Sequence, residues 1–485
     1  MRSYEHRSIG DEATGGAVVE VGGDGPGQQL RLTFGDIVAL SGDYFCPGGS
    51  SGARPSGGLF TLAPVAGHGG TRPNTRDEIV CALKVMTVDE VFVDPRFEPG
   101  GAFGHYEFTP RADRSDVERR VRDRYLTLAA SNDDHFVAPG RSDAPTGSGS
   151  GAAGLAYRDL HQLALDGASR LGRLGGDVSR AMAREAAAQH YLTDAFAAGH
   201  LRTPVADIRR YWHARYPEFW ERLQRRVASD TAKALQEVSA LLRLVPRRLL
   251  HERTRSELTA RTSQYPELSL GDLVARAFHD WDNSHGLAVE GAGRVFGDGH
   301  VDEGTTKELA LAAVRAGVDD IELAFRLGAA GANLHGGALY QEVRRGTGAS
   351  GDAFRAEEWI PRVSEANAAQ NWRAADVESL WDSPMVGSAG ATVGDAVADM
   401  LDPDGQFIRQ LEGLGEGLAG SHGLLALPLL GGWLVGHCCR AYHRGFVEPL
   451  ARDPQPVLLD LVHGDSTEAP AQPQRRPGTP TVEGQ

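Results

Sequence analysis

Residues 190–200 read His-Tyr-Leu-Thr-Asp-Ala-Phe-Ala-Ala-Gly-His, at the end of an alanine-rich stretch whose helical periodicity runs from Leu155 to Gly199. The string constrains the chain because imidazole and carboxylate are the donors that hold zinc at an open, water-binding site. At about 100° per residue, His190 and Asp194 share one helix face a turn apart. On a continuous helix, roughly 9 Å of rise separates Asp194 from His200, which suits His200 to a neighbouring ion rather than the same one. Ala197, Ala198 and Gly199 leave room for another segment to approach. The plain alternative is a helix carrying two surface histidines and a solvated aspartate.

Four other stations carry the same chemistry in chain order. His6 lies in Tyr-Glu-His-Arg-Ser-Ile-Gly-Asp, close to the start. Asp43 follows Gly42, which lets the backbone turn tightly before the carboxylate. His135 stands just past an apolar helical pattern running from Val117 to Ala130. After the central string comes Ala-Phe-His-Asp-Trp-Asp-Asn-Ser-His-Gly, with His279, Asp282, Asn283 and His285. A histidine at a helix end is more often a cap or a surface group, so each station is weak alone; their number and order give them weight.

The spacing His-x3-Asp-x5-His resembles the central metal-binding helix of the zinc-dependent phospholipase C and P1 nuclease family, and the resemblance covers roughly residues 4 to 290. It implies a mostly α fold, a multi-helix bundle with long N-terminal loops, and hydrolysis of phosphate esters by a metal-activated water. Two or three zinc ions are implied. Asp43, His135, His190 and Asp194 would hold one, with Asp194 bridging to a second that His6 binds. His200 and His279 would hold the third, with Asp282 as the carboxylate. Clustered divalent ions make bound water acidic and neutralise charge on the phosphate; Asp43 is the candidate base to take the proton. Arg202 is the candidate phosphate contact, since arginine binds phosphate oxygens bidentately.

Three departures from the family pattern affect these expectations. The family's N-terminal metal uses the amino group of a tryptophan exposed by processing, whereas this chain begins Met-Arg-Ser-Tyr. That site is expected to be altered or absent, with Asp11 a candidate substitute. Asn283 occupies the i+4 position where a carboxylate is expected; Asp282 at i+3 can share the same helix face. The gap from His200 to His279 is long, and His213 lies nearer, but Pro217 fills its i+4 position.

Composition limits the partners. A net charge of −15 argues against non-specific nucleic-acid binding through a basic surface, so nucleic acid enters only as a substrate. A phosphate-ester substrate, including phospholipid at a membrane surface, remains open. The most apolar run, Leu424 to Cys439, is broken by Pro428, Gly431, Gly432, Gly436 and His437 and is too short to span a bilayer. No cleavable signal is read, and Cys46, Cys81, Cys438 and Cys439 form no CxxC pair. These features point to a cytoplasmic chain, or to export without a cleaved signal.

The resemblance implies a metal-dependent phosphoesterase-like helical domain over 1–300, followed by a helical extension over 301–453; composition gives a largely disordered tail over 454–485. His161, beside the apolar stripe of Tyr157, Leu160, Leu163 and Ala164, reads as structural or exposed. Phospholipase C-like hydrolysis is the leading expectation. A P1-like nuclease and a non-catalytic helical interaction protein on the same scaffold are the alternatives.

Overall fold

The structure, a computed structural model, describes residues 1–22, 29–42, 44, 78–83, 117, 121, 135–137, 151–238, 242–262, 269–291, 293–363, 372–383, 385, 443–447, 452 and 454–463. Helix α1 (Ser3–Thr14) leads into an antiparallel hairpin of β1 (Val18–Gly22) and β2 (Gln29–Thr33), then α2 (Phe34–Leu40). The central helices are α3 (Gly151–Arg173), α4 (Ser179–Asp194) and the short α5 (Ala198–Arg202). Next come α6 (Val205–Arg215), α7 (Phe219–Val238), α8 (Arg247–Thr262) and α9 (Leu270–His285). A small ribbon of β3 (Leu287–Val289) and β4 (Gly293–Val295) precedes α10 (Thr306–Ala329) and α11 (Gly336–Thr347). Helices α12 (Val377–Trp381) and α13 (Pro454–His463) follow. The described chain is mostly helical, as expected, and none of its helices is long and apolar enough to cross a membrane.

Local chemistry sets the boundaries of these helices. Thr33 and Asp36 exchange side-chain and backbone hydrogen bonds at the start of α2, and Ser269 and Asp272 do the same at α9. These reciprocal pairs satisfy amides that the first helical turn leaves without partners. Gly15 ends α1 in the left-handed region at φ 65°, its N–H bonded to the Asp11 carbonyl.

Two large apolar clusters lie among the described residues, with two smaller ones as well. One packs α1, α2, α4 and α10 through Ile9, Phe34, Ile37, Leu192, Ala310 and Val314; the other packs α6, α7, α9 and α13 through Trp212, Phe219, Leu223, Phe278 and Leu458. The boundary expected near residue 300 therefore does not separate two cores. Helix α10 lies along α3 so closely that a Cβ on Gly328 would collide with the Ser169 carbonyl. The packed chain also runs past Pro454, because α13 buries Leu458 and Leu461 in the second core. The apolar run Leu424 to Cys439 lies outside the described residues.

Between α3, α4 and α10 sits a fully buried polar cluster. His161 places Nδ1 2.6 Å from Glu185 and Nε2 3.4 Å from Asp320, all three side chains at 0% exposure. His161 is thus structural and buried. Burial disfavours its charged ring, but the two carboxylates outweigh that effect and push its pKa from 6.5 up to about 10. A pKa raised in the folded state gives stability that is complete below the unfolded value and lost as pH rises through the folded one. Wild-type protein should therefore lose stability relative to His161→Gln between pH 6.5 and 10. Urea unfolding of both proteins across that range tests this, and a constant difference would rule out a charged His161.

Candidate metal centre

Helix α4 stops at Asp194. Ala197 is extended, at φ −74° and ψ 129°, and α5 begins one residue later. His200 therefore does not sit on a continuation of the His190 helix, as its spacing suggested. The break folds it back, with Nδ1 3.3 Å from Asp194 Oδ1.

Asp194 is the hub of what results. Its Oδ1 also faces the Met1 α-amino group at 2.6 Å and His6 Nε2 at 3.3 Å. Its Oδ2 faces His135 Nδ1 at 2.7 Å and His190 Nε2 at 3.4 Å. The apolar cores seal the carboxylate to 1% exposure. Close approach is built in: Gly42, at φ 82°, would collide with the His190 ring if it carried a Cβ, and a Cβ on Gly199 would come within 2.7 Å of the His279 ring. Both glycines let one backbone pass against another segment's imidazole.

Among the described residues, two groups each bring their ligand-type atoms within 4.8 Å: His6, His190 and Asp194, and then His200, His279 and Asp298. The first is buried. The second opens toward solvent, with the side chains of His279 at 16% and Asp298 at 25% exposure. Three of the rings are oriented from behind. His190 Nδ1 donates to the Val38 carbonyl at 2.9 Å, His200 Nδ1 to the His135 carbonyl at 3.1 Å, and His279 Nδ1 to Asp280 at 2.8 Å. A carbonyl or ionised carboxylate only accepts, so each neutral ring carries its proton on Nδ1 and a lone pair on Nε2.

Asp298 takes the place expected of Asp282. It follows β4 in the sequence Gly-Asp-Gly. Its loop is held by Gly299 N–H donating to the buried Glu5 carboxylate at 2.7 Å and by Gly297 N–H donating to the Asn283 carbonyl at 3.1 Å. Asp298 Oδ2 is 3.5 Å from His279 Nε2, and Oδ1 is 3.2 Å from the Met1 amine. Asp282 instead turns to α5 and forms a buried, bidentate pair with Arg202, whose Nε lies 3.0 Å away. Asp282 is thus paired with Arg202, only 2% exposed, rather than placed beside His200 and His279. Two neighbours on α9 decide this: at i+3 from His279 Asp282 meets α5's arginine, and at i+4 Asn283 meets α5's amide. Asn283 accepts from Gly199 N–H at 2.7 Å.

The remaining sequence candidates fall as follows. His279 meets His200, ring centroids 5.0 Å apart, while His213 is exposed on α6. His285 stacks on Trp281. Asp11 accepts hydrogen bonds from Gly35 N–H and the Thr33 hydroxyl, so it braces α2 rather than replacing the amino-terminal donor. His190 joins His6 in the same group, where the resemblance implied two different ions. Asp43 lies outside the described residues. Asp298 and the Met1 amine were not foreseen; a lone acid between two glycines after a ribbon was the available signal.

The electrostatics follow the geometry. Burial would raise the Asp194 pKa, but the Met1 amine and His200 outweigh it and hold it well below the usual carboxylate range. Burial likewise opposes ionisation of Asp298, and the amine and His279 pull it down. Burial, with His6 beside it, keeps His190 well below the ordinary imidazole value, and burial with the Met1 amine does the same for His200. His279 runs the other way, because Asp298 and Asp280 overcome its burial. The amine itself, opposed by burial but faced by Asp194 and Asp298, rises to about 11.

Comparison with protein-family models, curated proteins and solved structures finds no match to this chain. The reading of the site rests on its own chemistry.

Breaking the Arg202–Asp282 pair strands a buried guanidinium, so Asp282→Asn should cost about 3–5 kcal/mol of stability. Asp298→Asn, at the open edge, should cost clearly less. Urea midpoints of the two variants test this, and the reverse order would reject the separate roles given to the two aspartates.

Proposed function

We propose that this chain is a zinc-dependent phosphoesterase on a phospholipase C and P1 nuclease-like helical scaffold, with phospholipase C-like hydrolysis as its activity. The observation that supports it best is the surround of Asp194. His190 Nε2, and His6 Nε2 in the Nδ1–H form of that ring, turn lone pairs toward this buried carboxylate, which they repel unless a cation lies between them. His6 Nε2 is fully buried without a hydrogen-bond partner, which fits a donor awaiting an ion. The outward Nδ1 bonds of His190, His200 and His279 are the kind that orient metal-binding histidines.

His6, His190 and Asp194 would hold one ion, with His135 against the second Asp194 oxygen. His200, His279 and Asp298 would hold the other. Bound zinc supplies a water acidic enough to attack a phosphate ester near neutral pH and offsets charge on the phosphate. The chain's own part is to keep that chemistry oriented and partly dry. The buried group fixes the hub, and His279 with Asp298 forms the edge open to an incoming ester. Asp43 remains the candidate base. With Arg202 tied to Asp282, phosphate charge must be met by the metal centre itself. The net charge of −15 favours phospholipid over nucleic acid as substrate.

One observation favours a second reading, a helical interaction protein without catalysis. The Met1 ammonium already lies against Asp194 and Asp298, and an internal cation there can neutralise the cluster without metal.

Metal content separates the two readings. Protein purified without chelator should carry at least two zinc ions per chain, from the two groups of ligand atoms. Asp194→Asn should lose the ion of the buried group, because an amide cannot replace its carboxylate. Wild-type protein should hydrolyse a chromogenic phosphocholine ester and stop when chelator is added, with phosphatidylcholine preferred to single-stranded DNA. Less than one ion per chain would remove the enzyme reading, and full loading without turnover would favour the interaction protein.

A further inference from the structure

Thr193, one residue before the hub, is fully buried in α4, and its hydroxyl is shared among three neighbours. It lies 2.7 Å from the Gln189 carbonyl, 2.9 Å from the His190 carbonyl and 2.7 Å from His6 Nδ1. A hydroxyl has one proton and two acceptor lone pairs. Both carbonyls can accept from the hydroxyl, and a proton held there leaves it only lone pairs to offer His6. His6 Nδ1 then carries the hydrogen of that contact. In the neutral ring this leaves the lone pair on Nε2, the buried nitrogen 3.3 Å from Asp194 Oδ1.

We propose that Thr193 is a positioning residue that locks His6 in the Nδ1–H tautomer and so presents Nε2 as a ligand beside Asp194. The consequence for metal affinity rests on the metal-centre reading above; the tautomer does not. The logic differs from that of the other rings. A carbonyl or carboxylate imposes the Nδ1–H form because it has no proton to give. A hydroxyl imposes it only because its proton is already used, so the helical position of Thr193, within reach of the carbonyls three and four residues back, is part of the device. Without that hydroxyl the ring gains by turning its proton to Nε2, where Asp194 accepts it, and the ligand lone pair is lost from the site.

The test compares wild type with Thr193→Val, which keeps the shape and removes the hydroxyl, and Thr193→Ser, which keeps the hydroxyl. Long-range proton–nitrogen correlation spectra of histidine-labelled protein, with His6 assigned through His6→Gln, read the tautomer directly in chelator-treated samples. Wild type and Thr193→Ser should show a protonated Nδ1 and a bare Nε2; Thr193→Val should shift toward the Nε2–H form. Competition titration against a chromogenic chelator should show one zinc bound about 10–100-fold more weakly in Thr193→Val, the range typical of lost orienting partners, and restored in Thr193→Ser. A wild-type His6 that is Nε2–H or doubly protonated would overturn the proposal, as would a tautomer unchanged in Thr193→Val. If Thr193→Val fails to fold, the wild-type and Thr193→Ser spectra still decide. Wild-type protein that shows the proposed tautomer but binds no zinc would count against the metal centre alone.

Discussion

A carboxylate sealed inside a protein must be answered by positive charge or hydrogen-bond donors, because the cost of burying it bare runs to several kcal/mol. Asp194 imposes that requirement on this fold. The closest groups that answer it are the Met1 amine, just ahead of α1, and His135 Nδ1. The amino-terminal segment is consequently a structural member of the molecule, tied in through the Met1 amine, His6 and the Glu5 clamp on the Asp298 loop.

The sequence made part of this arrangement legible for a simple reason: residues one helical turn apart share a face, so His190 and Asp194 could be paired from spacing alone. The pairing of His200 with His279 was also accessible, since Gly199 marks a place where another backbone can approach. The fold-back of α5 was not. Ala195, Phe196 and Ala197 are ordinary helix formers without a proline or glycine breaker, and the chain leaves the helix there because tertiary contacts hold it, among them Ala198 N–H on the Phe296 carbonyl. Asp298 was hidden for a related reason. Its position depends on a ribbon and a glycine-flanked loop that bring it back over α9, a long-range relation that local periodicity does not encode.

Charged residues mislead in proportion to their versatility. Arg202 and Asp282 each had a plausible place at the site, and each is used up by the other in a buried pair that joins α5 to α9. Such a pair contributes geometry more than net stability, since the gain in attraction is offset by desolvation. Its placement immediately behind the open group of His200, His279 and Asp298 means that the two helices carrying the imidazoles are fixed relative to one another.

The Met1 amine sharpens the electrostatic argument. One ammonium faces Asp194 at 2.6 Å and Asp298 at 3.2 Å, and Glu5, held by the neighbouring Gly299 amide, adds a further acid to the same region. On the far side, Asp280 supports His279 from behind. The acids around the amine therefore outnumber it, while burial keeps His190 and His200 from supplying compensating charge themselves. The excess is felt most by His279, where Asp298 and Asp280 overcome burial and favour a positive ring. A divalent ion among His200, His279 and Asp298 meets that same demand more fully than a proton does, since it carries twice the charge and is bonded by the very lone pairs the surrounding hydrogen bonds have turned inward.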